Sequence, residues 1–151
     1  MGPVASASAP SRGGLASSPA RPLQTFSKEA DRARLTPAAL EGLRSIAKAW
    51  KLSGAEASDL LGVSQSTWDR IRTSEWRQSL SQDQLMRVSA MIGVFKGLHL
   101  LFADDMADRW VRLRNSGPLF QNLTPVEAMI ERGIPGMIEI RRYVDALRGG
   151  L

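Results

Sequence analysis

A chain of 151 residues with 43% apolar side chains makes one domain or two small ones and can close a core. It has no cysteine and a single histidine, His99, which excludes disulfides and thiolate metal sites and leaves neither a metal nor a cofactor expected; Lys96 and His99 interrupt the best apolar run, residues 94–102, so no membrane span is expected and a soluble protein of a reducing compartment is the simplest reading. Twenty Lys and Arg against fifteen Asp and Glu fit a polyanionic partner without demanding one, and the excess lies in front: five bases to two acids over residues 1–34, eight to six over 35–100, and seven to seven over 101–151.

From residue 1 to about 28 the sequence is Ala, Ser, Pro and Gly with scattered Arg and no apolar periodicity. Such a stretch cannot offset its ordering entropy, and residues 1–34 are expected to form a disordered tail. The tail is either inert or a basic arm that brushes a DNA backbone. Its lack of acids before Glu29 resembles a transit peptide, but no amphipathic Arg-rich helix accompanies it. Thr36-Pro37 then reads as an N-cap and an N1 proline, starting a helix with Leu40, Leu43, Ile46, Ala47 and Trp50 along one stripe.

Residues 54–73, GAEASDLLGVSQSTWDRIRT, hold two short amphipathic segments around Gly62. Ala57 and Leu61 precede that glycine, and Val63, Trp68 and Ile71 follow it, the pattern of a helix-turn-helix closing on a left-handed glycine. Ser53 and Glu56 have capping-box spacing, and Ser64 stands where the second helix needs its N-cap. Ser64, Gln65, Ser66, Thr67, Arg70 and Arg72 would point outward, a set of amides, hydroxyls and guanidiniums able to read base edges in a major groove. The plain alternative is a helix pair joined by a glycine turn, and Asp69 on the same face counts against DNA.

A connector, residues 73–80, carries Trp76 and Arg77. Ser81 with Gln84 opens a long helix with Leu85, Val88, Ile92, Phe95 and Phe102 in register and Met86, Met91, Leu98 and Leu101 widening the stripe, so it must be buried on more than one side. His99 has no Ser, Cys or Asp partner suggested by spacing and reads as a satisfied histidine near the core, not a catalytic one. A helix over 103–114 follows, with Met106, Trp110 and Leu113 on one face and Arg109, Arg112 and Arg114 on another. After a Gly117-Pro118 loop, Thr124-Pro125-Val126-Glu127 combines N-cap, N1 proline and capping glutamate. That helix is expected to stop near Gly133, Pro135-Gly136 to make a tight turn, and a last helix to place Met137, Ile140, Val144 and Leu147 on one face before Gly149-Gly150. No strand-like alternation appears, so the fold class is all-α.

The order of Trp110, Gly117-Pro118, Thr124-Pro125 with an apolar helix, Gly133 and a final glycine-ended helix resembles the toxin-binding domain of Xre/MbcA/ParS antitoxins, and the front half is similar to the Xre-type helix-turn-helix of the same proteins. One departure is Phe120-Gln121-Asn122-Leu123, where family members often have glycine just before the residue preceding Thr-Pro; the turn then asks Asn122 for a left-handed backbone. The resemblance implies four parts: the tail over 1–34, an Xre-like helix-turn-helix domain over 35–80, a connecting or dimerisation helix over 81–102 and a toxin-binding domain over 103–151. It implies an antitoxin, not an enzyme, that occludes the active site of a RES-type toxin consuming NAD or transferring ADP-ribose and represses its own operon, as a homodimer within a larger toxin–antitoxin complex. Trp110, Arg141, Arg142, Tyr143, Arg148, Gly149, Gly150 and Leu151 offer the best toxin-facing material, since Arg and aromatic residues anchor interfaces, and a solvated helix face is the plain alternative. Two further readings stand beside this one: a protein-binding inhibitor whose helix-turn-helix is only a scaffold, and a stand-alone repressor.

Overall fold

The computed structural model describes residues 25–149. Among them every regular element is a helix: α1 (Glu29–Ala49), α2 (Gly54–Leu61), α3 (Gln65–Arg72), α4 (Gln82–Leu101), α5 (Asp104–Trp110) and α6 (Pro125–Arg148). The all-α expectation holds. The expected tail over residues 1–24 lies outside the described residues.

α1 starts eight residues earlier than Thr36-Pro37 predicts, with Lys28 and not Thr36 at the N-cap, so residues 29–34 belong to the fold and not to a tail. Local pairs support the added turns: Arg32 bonds Glu29 at 3.1 Å and the Phe26 and Ser27 carbonyls at 3.0 and 2.9 Å, and Arg34 bonds Asp31 at 3.0 Å. Phe26 is buried in the core, which anchors the entry of the chain. Pro37 therefore sits inside α1, where it lacks the N–H that would reach Ala33. Thr36 is no N-cap. Its hydroxyl donates to the Arg32 carbonyl at 2.6 Å and accepts the Leu80 amide at 2.9 Å, a buried tie between α1 and the connector.

α4 is the helix around which the others pack. Its buried residues, Leu85, Val88, Ala90, Met91, Val94, Gly97 and Leu98, occupy most of its girth because α1, α5 and α6 cover it on different sides, as its broad stripe requires. α6 runs parallel to it: Arg141 meets Ser89 and Gly93, and Val144 meets Gly97. Trp50, Leu43, Ile46, Leu60 and Ile71 in front and Phe120, Met129 and Met137 behind join one continuous core with α4. Each such side chain contributes about 1.5–3 kcal/mol by leaving water.

Two boundaries in the rear differ from expectation. α5 ends at Trp110 and not at 114, because the Val111 carbonyl accepts the Val126 amide at 3.0 Å and the chain turns to meet the start of α6. α6 is interrupted at Gly133 alone (φ 67°, ψ −148°), with no separate turn at Pro135-Gly136. Pro135 falls in the first turn after the kink, where its missing N–H costs little. The Thr124 capping box forms as expected, with Thr124 Oγ1 3.0 Å from the Glu127 amide and Glu127 Oε1 2.9 Å from the Thr124 amide. Asn122 does take the left-handed backbone, φ 69°.

Candidate functional site

Two surfaces carry the residues singled out by the sequence. The first is built on α2 and α3. Ser53 and Glu56 cap α2 reciprocally at 3.0 and 2.9 Å, and Gly62 closes it at φ 78°, ψ 40°. Arg87 of α4 lies so close that a Cβ on Gly62 would stand 3.2 Å from its Nε. That guanidinium donates to the Leu60 carbonyl at 3.2 Å and to Asp83 at 2.8 Å, placing a cation at the negative end of α2. Trp68 and Ile71 bury the inner face of α3.

The outer face of α3 leaves Ser64, Gln65, Ser66, Arg70 and Arg72 exposed and Thr67 half-buried. Several of these groups are already engaged. Ser64 Oγ accepts the Thr67 amide at 3.1 Å and meets the Ser66 and Thr67 hydroxyls at 3.2 and 3.1 Å. Arg72 pairs with Asp69 at 3.5 Å, and the Arg70 guanidinium stands 5.3 Å from the Trp76 ring centre, a cation–π seat that holds it toward the connector. The role of Trp76 had no signal in the sequence beyond its place in the connector. Beside α3 runs an open groove of about 1000 Å³ with Arg44 and Lys48 of α1 on one wall and Asp69 and Arg72 on the other.

The second surface lies where α5 meets α6. Trp110 stacks near Tyr143 with centroids 6.3 Å apart and planes at 20°, and Phe120 meets both edge-on at 5.7 and 5.3 Å. Phe120 is buried, whereas Trp110 and Tyr143 are half-buried and so partly open to solvent. Of the residues expected to face a partner, these two are brought together. Arg141 is not with them. It leaves α6 on the other flank, crosses Gly93 and bonds the Ser89 carbonyl at 3.3 Å. Arg142 is exposed, Arg148 pairs with Asp145 at 3.5 Å, Gly149 ends α6, and Gly150 and Leu151 lie outside the described residues. Sequence reasoning missed Phe120, whose position in a Gly-Pro loop gave no period to read.

A family model described as the antitoxin Xre/MbcA/ParS C-terminal toxin-binding domain matches residues 95–150, the end of α4 through α6. An uncharacterised protein, y4oB, of Sinorhizobium fredii (strain NBRC 101917 / NGR234) is 31% identical over 134 residues, covering 85% of this chain and 98% of that protein. The chain belongs to the Xre/MbcA/ParS antitoxin family. It is an antitoxin of a toxin–antitoxin system, and its partner is a toxin. No described helix is long and apolar enough to cross a membrane.

Three charged residues of the matched segment, Arg112, Arg114 and His99, tie one element to another. Arg112, just after α5, bonds Glu56 at 3.0 Å and so reaches the capping box of α2. Burial raises the Glu56 pKa, but the Arg112 bond and charge and the Ser53 amide outweigh it, and the carboxyl is held below its ordinary range. Arg114 reaches the Asn122 carbonyl at 2.9 Å and Glu127 at 3.5 Å; the Thr124 amide, and then Arg114, lower the Glu127 pKa. His99 is a satisfied histidine, as expected, but through acidic partners that spacing did not suggest. Its Nε2 lies 2.8 Å from Asp108 and its Nδ1 3.0 Å from Asp104, both on α5. A reversal between α4 and α5 makes those contacts, and spacing along one helix cannot reveal them.

Proposed function

We propose that this antitoxin occludes the active site of a RES-type toxin that consumes NAD or transfers ADP-ribose, and represses its own operon by using α2 and α3 as a helix-turn-helix. The observation that carries the reading is the presence of two separate surfaces on one core. The α3 face is polar and rests on buried Trp68 and Ile71, and the Trp110–Tyr143 edge lies inside the segment matched by the toxin-binding domain. Gln65 and Ser66 at the start of α3 are the foremost base readers, with Arg70 and Arg72 as further contacts and Ser64 and Thr67 shaping the helix entry. Trp110 and Tyr143 anchor the toxin, and Arg142, Arg148 and the residues 149–151 approach its NAD site. Reading two half-sites requires a homodimer, for which the end of α4, with Leu100 67% exposed, is the candidate contact.

Co-expression with the adjacent toxin gene tests both halves. Trp110→Ala combined with Tyr143→Ala should release NAD loss and toxicity while operator binding is kept. Gln65→Ala should weaken binding to the DNA upstream of the gene by about 1–3 kcal/mol while neutralisation is kept. A complex that neutralises but never shifts operator DNA favours the scaffold reading, which has its own support in the engagement of Arg70 by Trp76 and Arg72 by Asp69.

A further inference from the structure

We propose that His99, Asp104 and Asp108 form a proton-operated latch that seats α5, and Trp110 with it, on the end of α4, so that protonating one imidazole tightens the toxin-facing surface. This rests on the reading that Trp110 and Tyr143 face the toxin.

Only Phe102 and Ala103 separate α4 from α5. α5 is seven residues long, has no side-chain N-cap and buries Ala107 alone in full, so it is too short to persist without tertiary ties. His99 supplies two of them. Its ring lies between carboxylates, with Nδ1 3.0 Å from Asp104 Oδ1 and Nε2 2.8 Å from Asp108 Oδ1, while Phe95 packs on its face at 4.3 Å. A neutral imidazole has one N–H and would turn a lone pair on the other nitrogen toward a carboxylate; the imidazolium donates to both. The two acids sit on opposite ring nitrogens, so the three groups do not converge on a common point as a metal site requires.

The charged surroundings favour the cation. Asp104 and Asp108 face it from α5, on which Asp105 and Arg109 are exposed to solvent. On α6, Asp145 lies beside Gly97 and pairs with Arg148 at 3.5 Å, and Lys48 is the base in the last turn of α1. Glu56 of α2 is taken up by Arg112. The ring also sits at the negative end of α4. Burial pulls its pKa down, but the bonds and charges of Asp104 and Asp108 outweigh this and raise it above the ordinary 6.5. The latch is then closed in full below that ordinary value and opens as pH climbs through the raised one.

His99 is the only histidine, so its imidazole NMR signals in the full chain need no assignment by mutation. A titration midpoint above about 6.5, lowered in Asp108→Asn, is expected. Amide exchange over residues 104–110, corrected for its intrinsic pH dependence, should rise as the midpoint is passed in the wild type but not in His99→Gln. Toxin affinity should fall by about threefold or more between about pH 6 and 8.5, and this slope should vanish in His99→Gln and shrink in Asp108→Asn. A midpoint at or below the ordinary value, an unchanged exchange slope in His99→Gln, or a flat wild-type affinity overturns the proposal. Trp110→Ala that leaves toxin binding intact would remove the toxin-facing reading instead; the exchange experiment, made on the free chain, still decides whether the latch exists.

Discussion

Gly93 and Gly97 sit one turn apart on α4 and face the same helix, yet their substitution should have different outcomes. A Cβ on Gly97 would approach Val144 Cγ1 to 2.6 Å, and a β-branched side chain packed between helices has no other rotamer to take. A Cβ on Gly93 would meet only the far end of Arg141, which can swing into solvent. Gly97→Ala should therefore cost about 1–3 kcal/mol in urea unfolding. Gly93→Ala should be near neutral or gain up to about 1 kcal/mol from helix propensity. Equal losses at both positions would mean that the α4–α6 contact is looser than these distances imply. Gly62 is constrained twice, by φ 78° and by Arg87, so Gly62→Ala should lose about 1–2 kcal/mol with no compensating gain.

Helix starts are the best specified elements in this chain, because a cap is a contract between residues three apart. Ser53, Ser81 and Thr124 each accept the amide of the residue at N3, and Glu56, Gln84 and Glu127 return the bond. Thr124→Ala should cost about 1 kcal/mol by thermal or urea unfolding, and Ser81→Ala a similar amount. Glu56 adds a pH dependence whose sign follows from its lowered pKa. The contribution is present above the unfolded value near 4.5 and is lost as pH falls through the lower folded value, so Glu56→Gln should flatten the acid limb of the stability curve. An acid limb identical in Glu56→Gln would show that other carboxylates set it.

At the scale of the molecule, front and rear are tied by more than α4. α2 packs on α6, and Arg112 reaches Glu56 across 56 residues of sequence. Arg112 is 39% exposed, so solvent screens the pair and a double-mutant cycle on Arg112→Ala and Glu56→Ala should give a coupling of only about 0.2–1 kcal/mol. The shared core makes a stronger prediction. Single-tryptophan variants that keep Trp68 in front or Trp110 behind should unfold with one midpoint in urea, as a single cooperative unit does. Two midpoints would mean that the front and rear fold as independent domains.

The sequence by itself determined the all-α class, the caps at Ser53, Ser64, Ser81 and Thr124, the glycine turn at Gly62 and the wide burial of α4, because each rests on periodicity or on contacts within a few residues. It misplaced the start of α1 because Pro37 and Thr36 spell a helix start locally, while burial of Phe26 and the Thr36 bond to Leu80 favour a longer helix. It ended one helix near Gly133 and added a turn at Pro135-Gly136 because that pair signals a turn, whereas one φ change at Gly133 kinks α6 and the helix resumes directly. Only the tertiary structure decided that Arg141 leaves the flank of Tyr143, that Phe120 joins Trp110, and that His99 lies between two aspartates. Those outcomes depend on how helices cross and on how the chain reverses between them, and such geometry leaves no spacing to read along the chain.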